Sequence, residues 1–401
     1  NRRGTAIASH GRGGLPVSGI REIAFARPWI TDAELDAVVG VLGGDVLTHG
    51  PQAKAFEEEF SEFMGGDGHA LLTSSGMAAL HLAYWQLGIG SGDEVIVTSQ
   101  THVATVHAVE IVGATPVFVD CRQADGNIDP AQIEEAVTDR TRAIGLVHFV
   151  GIPCDMDSIM EIARRSDLLV IEDCALAVGA RVRDTHVGLI GDAGIFSFYP
   201  VKHITTGDGG MFVTRHVELK DRVASARAFG VDRSFSERAV PGKYDAPTLG
   251  LNYRLSDINA AIGRQQLARI DEVLQRRADN FRVLRAGLSD IPDLHVIDTE
   301  AVDRVNSHYC LSVVLGVGFA DHRDKIAQRL RENGVGTSIY YPHPIPRLSY
   351  YKDKYGHDLS RVPQATTISD NSIALPVGPH LDESDMEYIA TQLIRVMEST
   401  D

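Results

Sequence analysis

Cysteine is scarce and scattered in this 401-residue chain: Cys121, Cys154, Cys174 and Cys310 form no C-x-x-C pair. That spacing speaks against a disulfide framework and against a cysteine zinc site, so no metal is expected. It fits a reducing compartment, and a cytoplasmic location follows as an expectation. No apolar run approaches the ~20 residues needed to cross a bilayer. Neither G-x-x-x-x-G-K-[ST] nor G-x-G-x-x-G occurs, which removes the usual sequence signs of a nucleotide-binding loop. Internal repeats and low-complexity linkers are absent as well. Positive charge is in deficit: 38 Lys and Arg stand against 54 Asp and Glu, a net charge of −16. Nucleic acid and anionic membranes would be repelled over most of such a surface, while a local basic pocket for a phosphorylated ligand stays compatible with it. Residues 1–19 lack acidic side chains, are rich in Gly, Arg and Ser, and have no apolar core of a secretory signal. A disordered N-terminal extension is expected there.

What is present is an ordinary globular composition, 44% hydrophobic and 23% charged, in a chain long enough for one large domain and a smaller one. From Phe56 onward, short β-branched runs alternate with helical stretches. The pattern predicts helices over 78–87, 131–137 and 157–165, and strands over 94–97, 116–119, 143–149 and 168–171. Strands alternating with helices imply right-handed βαβ units and a mostly parallel sheet, hence an α/β domain. After Gly250 the character changes. Ser256 to Leu284 is nearly free of glycine, carries apolar residues at helical spacing, and begins with a capping hydroxyl, which predicts one long helix. Beyond about Leu294, strands mix with helices. The expected division is a large domain over 20–265 and a smaller α+β domain over 266–401.

In sheets of this kind ligands sit at the carboxyl ends of strands. Asp173 ends a predicted strand, His102 follows another, and Ser75-Gly76 precedes a helix. A further segment reads Gly191-Asp-Ala-Gly-Ile-Phe-Ser-Phe-Tyr-Pro-Val-Lys202-His-Ile-Thr-Thr-Gly-Asp-Gly-Gly210. A strand-like run breaks at Pro200, a single lysine follows, and a Gly-rich return leads into a second strand. A lysine among apolar and small residues is open to desolvation, which lowers its pKa and suits Schiff-base chemistry. On local chemistry alone a solvent-facing lysine in a turn is the preferred reading.

The wider pattern decides between them. The stretch Ser197 to Gly210 resembles the lysine motif of the DegT/DnrJ/EryC1/StrS family of sugar aminotransferases, which depend on pyridoxal phosphate (PLP). The resemblance runs in order from about Ile23 to Ile394. It takes in Leu47-Thr-His-Gly-Pro51, Ser74-Ser-Gly-Met-Ala-Ala-Leu80, Gly92-Asp-Glu-Val-Ile-Val97, Gly113-Ala-Thr-Pro-Val-Phe-Val-Asp120, Ile171-Glu-Asp-Cys-Ala175, Asn252-Tyr-Arg254 and Ala374-Leu-Pro376. It implies the PLP-transferase fold of aspartate aminotransferase (fold type I), with a large domain on a mostly parallel sheet and a smaller C-terminal α+β domain.

The same resemblance implies a role for each matching residue. Lys202 would hold PLP as a Schiff base and move protons, and Asp173 would pair with the pyridine nitrogen. The amides of Gly76, Met77 and Ala78, with the Ser197 hydroxyl, would bind the phosphate. His102 would stack on the ring. Asn252 would reach the phosphate of a neighbouring subunit, so a homodimer with shared sites is expected. The implied reaction is a ping-pong transfer of an amino group from an amino acid, L-glutamate, to a keto sugar, a nucleotide-linked 4-keto-6-deoxyhexose. A PLP-dependent sugar dehydratase, a cyclitol aminotransferase and a non-catalytic regulatory relative are the alternatives. Some of the family's dehydratases carry histidine at the lysine position, and counting five residues from Ser197 gives Lys202, not His203. Three positions depart from the family pattern. Met77 replaces a usual threonine, Leu176 stands where glutamine or histidine is common, and His343 is out of register with a substrate-facing histidine.

Overall fold

A seven-stranded sheet organises the chain, in the order His69–Thr73, Gly210–Thr214, Ala193–Ser197, Leu169–Asp173, Thr141–Val147, Glu94–Thr98 and Thr115–Val119. The computed structural model describes residues 21–232, 240, 242–299, 301–319, 321–356 and 358–400. The extension expected over residues 1–19 lies outside the described residues. Every neighbour pair in the sheet is parallel except the two made by Gly210–Thr214, which is antiparallel to both of its partners. The strand Glu94–Thr98 is buried along its whole length. Such near-continuous apolar runs belong to a parallel sheet covered on both faces. One face packs on a cluster that includes Phe56, Phe60, Phe196 and Phe198, and the other on Leu80, Tyr84, Val106 and Val109. The mostly parallel α/β architecture expected from the alternation is therefore present.

Local chemistry starts the helices. Ser75 caps Gly76–Gln86 by accepting the Ala78 amide at 3.1 Å, and Ser256 caps Asp257–Leu267 through the Asn259 amide at 3.2 Å. The long helix predicted from Ser256 to Leu284 is two helices, Asp257–Leu267 and Ile270–Leu288. The break has no proline or glycine. It coincides with tertiary ties from both of its flanks: Gln266 donates to the Trp29 carbonyl and to Glu34, and Arg269 pairs with the same Glu34 while covering the Trp29 ring. Long-range contacts of this kind override helical periodicity.

The C-terminal part builds its own three-stranded antiparallel sheet from Leu294–Val296, Leu311–Leu315 and Ser372–Leu375. Its core joins Phe281 and Leu284 of the long helix to Ile326, Leu330, Ile389 and Leu393, and takes in Ile23 from the start of the described chain. Among the described residues no helix is long and apolar enough to cross a membrane. All four cysteines are free thiols and buried.

Candidate active site

Three elements meet at the carboxyl ends of the central strands. Asp173 is the last residue of Leu169–Asp173, Ser197 the last of Ala193–Ser197, and Gly76 the first of the helix Gly76–Gln86. Their closeness depends on glycine. A Cβ on Gly210 would lie 2.5 Å from the Gly76 nitrogen, and one on Gly76 would lie 3.1 Å from the Ser197 Cβ. The helix start can therefore rest directly on the two strand ends, and a side chain there would push it away.

A cavity of about 270 Å³ opens at this junction. Gly76, Met77, His102, Asp173, Ser197 and Lys202 all line it, as does Leu176. Two residues expected at the site do not. Ala78 is two residues further along the helix than Gly76 and its amide is already taken by Ser75, so Gly76 and Met77 are the amides left without an intrahelical acceptor. Asn252 is exposed, accepts from the Arg254 side chain at 3.1 Å, and is not part of the lining of its own chain's cavity. His343 is exposed and is also not part of the lining.

Lys202 enters the cavity from a turn closed by its own amide on the Tyr199 carbonyl at 2.9 Å, and its ammonium stands 5.6 Å from the centre of the Tyr309 ring. Burial pushes its pKa down to about 8, against the opposing pull of Asp173. The side chain is half-buried and lines the cavity, whose apolar walls desolvate the amine. The adjacent His203 turns the other way. It is buried, and its Nε2–H donates to the Ser307 carbonyl at 2.9 Å.

Asp173 is buried and held by both oxygens. Oδ1 accepts the Ala175 amide at 3.0 Å and Oδ2 the Thr105 hydroxyl at 2.7 Å. His102 caps the helix Val103–Ile111 by accepting the Ala104 amide at Nδ1, which leaves the proton on Nε2. Its ring stands 5.8 Å from that of Tyr341 across the cavity mouth. His102 is exposed, and desolvation in the cleft is the main cause that lowers its pKa, which favours the uncharged imidazole. Tyr341 also lines the cavity, as do Ser75, Tyr199 and Asp208. The sequence flags Ser75 with Gly76, but not Tyr199, Asp208 or Tyr341. For Tyr199 and Asp208 the available signal was their closeness to Lys202 in the sequence.

The arrangement suits an anionic, flat ligand with a reactive carbonyl. Unpaired amides and a hydroxyl gather at a helix N-terminus, a carboxylate sits at the end of a neighbouring strand, and a primary amine that deprotonates easily faces the space they share. PLP carries a phosphate, a basic ring nitrogen and an aldehyde, and the residues present fit each of these groups. A second buried cluster, His148, Glu172 and Cys174, brings potential ligand atoms within 4.8 Å of one another. It is already occupied by internal bonds. His148 donates to Glu172 at 3.0 Å and accepts the Cys154 amide, while Glu172 also accepts the amides of Gly188, Ile190 and Gly191. The cluster pins the loop before Ala193–Ser197.

The chain and its fold have counterparts among known proteins. The sequence model of the DegT/DnrJ/EryC1/StrS aminotransferase family matches residues 28–394. The chain is similar to the spore coat polysaccharide biosynthesis protein SpsC of Bacillus subtilis (strain 168), at 32% identity over 94% of this chain and 98% of that protein. Its structure is similar to Helicobacter pylori PseC, an aminotransferase involved in the biosynthesis of pseudoaminic acid. The TM-score is 0.89 and the identity 27%, over 94% of this chain and 100% of that one. It is also similar to S. venezuelae DesV in complex with a ketimine intermediate, with a TM-score of 0.84 and 34% identity over 90% and 93% of the two chains.

Proposed function

The chain belongs to the DegT/DnrJ/EryC1/StrS aminotransferase family, and on that premise we propose that it is a PLP-dependent transaminase moving an amino group from L-glutamate to a nucleotide-linked 4-keto-6-deoxyhexose. The observation that carries the reading is Lys202, a lysine with a pKa near 8 that faces one cavity with Asp173 and a helix N-terminus.

Bound there, PLP supplies an electron sink and a carrier for the amino group. The chain's own residues do the rest. The amides of Gly76 and Met77 and the Ser197 hydroxyl would hold the phosphate. The Asp173 carboxylate would pair with the ring nitrogen and keep its proton in place. His102 and Tyr341, which line the same cavity, would limit water there. Lys202 would anchor the cofactor through Nζ, and the same Nζ, once free, is placed to take a proton from the donor's Cα. The orientation of His203, away from the cavity, favours amino transfer over the dehydratase alternative. Leu176 contributes only an apolar wall.

The placement of Asn252, exposed and absent from the lining of its own cavity, supports a homodimer with shared sites. Leu35, Val39 and Leu42 form an exposed apolar stripe on the helix Asp32–Leu42, a surface suited to a second copy. A cytoplasmic setting fits the four free thiols.

The test is optical. With PLP the purified protein should turn yellow, lose the band on addition of L-glutamate, and regain it when a keto sugar nucleotide is supplied. A protein that takes up PLP but never loses the band to any amino acid contradicts the reading. Conversion of the keto sugar without use of an amino donor would establish the dehydratase instead.

A further inference from the structure

Two threonines that do not line the cavity stand behind Asp173 in a directed chain. The Thr105 hydroxyl donates to Asp173 Oδ2 at 2.7 Å, and Thr101 Oγ1 lies 2.8 Å from Thr105 Oγ1. All three residues are buried. The direction of the second bond follows from proton counting. A carboxylate can only accept, so the single hydroxyl proton of Thr105 is committed to Asp173, and Thr101 must donate to Thr105. Both protons therefore point toward the carboxylate.

The geometry adds to the chemistry. Thr105 sits in the first turn of the helix Val103–Ile111, whose N-terminus carries partial positive charge. Asp173 takes the Thr105 hydroxyl on one oxygen and the Ala175 amide on the other, so rotation about its terminal bond is blocked from both sides. Each oxygen keeps a lone pair free. In the low dielectric of the sheet end, successive hydroxyls in one direction strengthen one another.

We propose that Thr105, backed by Thr101, is a positioning residue that fixes the Asp173 carboxylate as a charged, oriented acceptor for the cationic ring nitrogen of a pyridine-type cofactor. The inference rests on the PLP reading above. Thr105 touches no part of the cavity and acts only through Asp173.

The experiment measures PLP dissociation constants of the apoprotein by absorbance for the wild type, Thr105→Val, Thr105→Ser and Thr101→Val. Valine keeps the branched shape and removes the hydroxyl; serine keeps the hydroxyl. Thr105→Val should bind PLP roughly ten- to a hundred-fold more weakly, the scale of a hydrogen bond to a charged group. Thr101→Val should lose a few-fold, and Thr105→Ser should bind nearly as the wild type does. If Thr105→Val melts at a lower temperature yet binds PLP like the wild type, the hydroxyl supports only the fold and the inference is overturned. Should Thr105→Val not fold, the Thr101→Val and serine pair decides: unchanged binding in Thr101→Val together with weak binding in Thr105→Ser overturns it. A wild-type protein that takes up no PLP refutes the cofactor reading itself, which is a different result from tight binding in every variant.

Discussion

Lys202 and His203 are neighbours in sequence with opposite destinations: the lysine lines the cavity, and the histidine donates to the Ser307 carbonyl at 2.9 Å in the core. Substitutions at the two should therefore separate chemistry from stability. Lys202→Ala should leave the fold intact, abolish the lysine-bound absorption band and lower amino transfer by roughly 100- to 10,000-fold, the range of a positioned acid–base group. His203→Ala should keep the band and lower stability by about 1–3 kcal/mol, because a buried carbonyl loses its donor. Spectra and chemical denaturation of the two variants check this, and wild-type turnover in Lys202→Ala would refute the lysine's assignment.

Loading of the cofactor should depend on pH in a definite direction. Burial brings the Lys202 pKa down to about 8, so the neutral, nucleophilic amine predominates above that value and the ammonium below it. The rate at which the apoprotein develops its band with PLP should rise through pH 8 and level off above it. A rate that stays flat from slightly acidic to mildly alkaline pH would mean that a different step limits loading or a different amine reacts.

Gly210→Ala tests the close approach at the phosphate end. The added methyl would lie 2.5 Å from the Gly76 nitrogen, so the helix start must shift, and the amides of Gly76 and Met77 shift with it. PLP should bind at least about tenfold more weakly, a loss of roughly 1.4 kcal/mol. Equilibrium dialysis would measure this directly.

Glu172 offers a stability test with no expected catalytic role. Burial alone would raise its pKa, but the hydrogen bond from His148 and those from the Gly188 and Gly191 amides outweigh it and hold the carboxyl below its usual range. Its contribution is therefore present above the unfolded-state pKa and is lost as pH falls through the lower, folded-state value. Glu172→Ala strands His148 and three amides, and should cost about 3–5 kcal/mol at neutral pH, read from urea unfolding.

Shared sites predict complementation. Lys202→Ala and Asn252→Ala variants should each be weak alone. Mixed after partial unfolding and refolding, half of the dimers are hybrids, and one site of each hybrid has both residues intact, so activity should return to about a quarter of wild type. No recovery from a fully mixed dimer would place Asn252 outside the partner's site.

Much of this was legible from order along the chain. The strand ending at Asp173 and the helix starting at Gly76 each follow from a local pattern, a β-branched run and a capping serine. Ala78 was drawn into the site by proximity, since the sequence does not reveal that Ser75 already takes its amide. The gap between Leu267 and Ile270 was hidden because its determinants, Trp29 and Glu34, lie more than 230 residues away. Thr105 and Tyr341 were missed for the same reason, since each acquires its meaning only from residues the fold brings against it.

The buried cysteines have a practical side. Desolvation raises the pKa of every one of the four thiols, so thiolate is nearly absent at neutral pH and no sulfur is presented to reagents. The native surface is thus silent toward maleimides, and a single cysteine introduced at the cavity mouth would carry a fluorophore without background, ready to report substrates as they arrive.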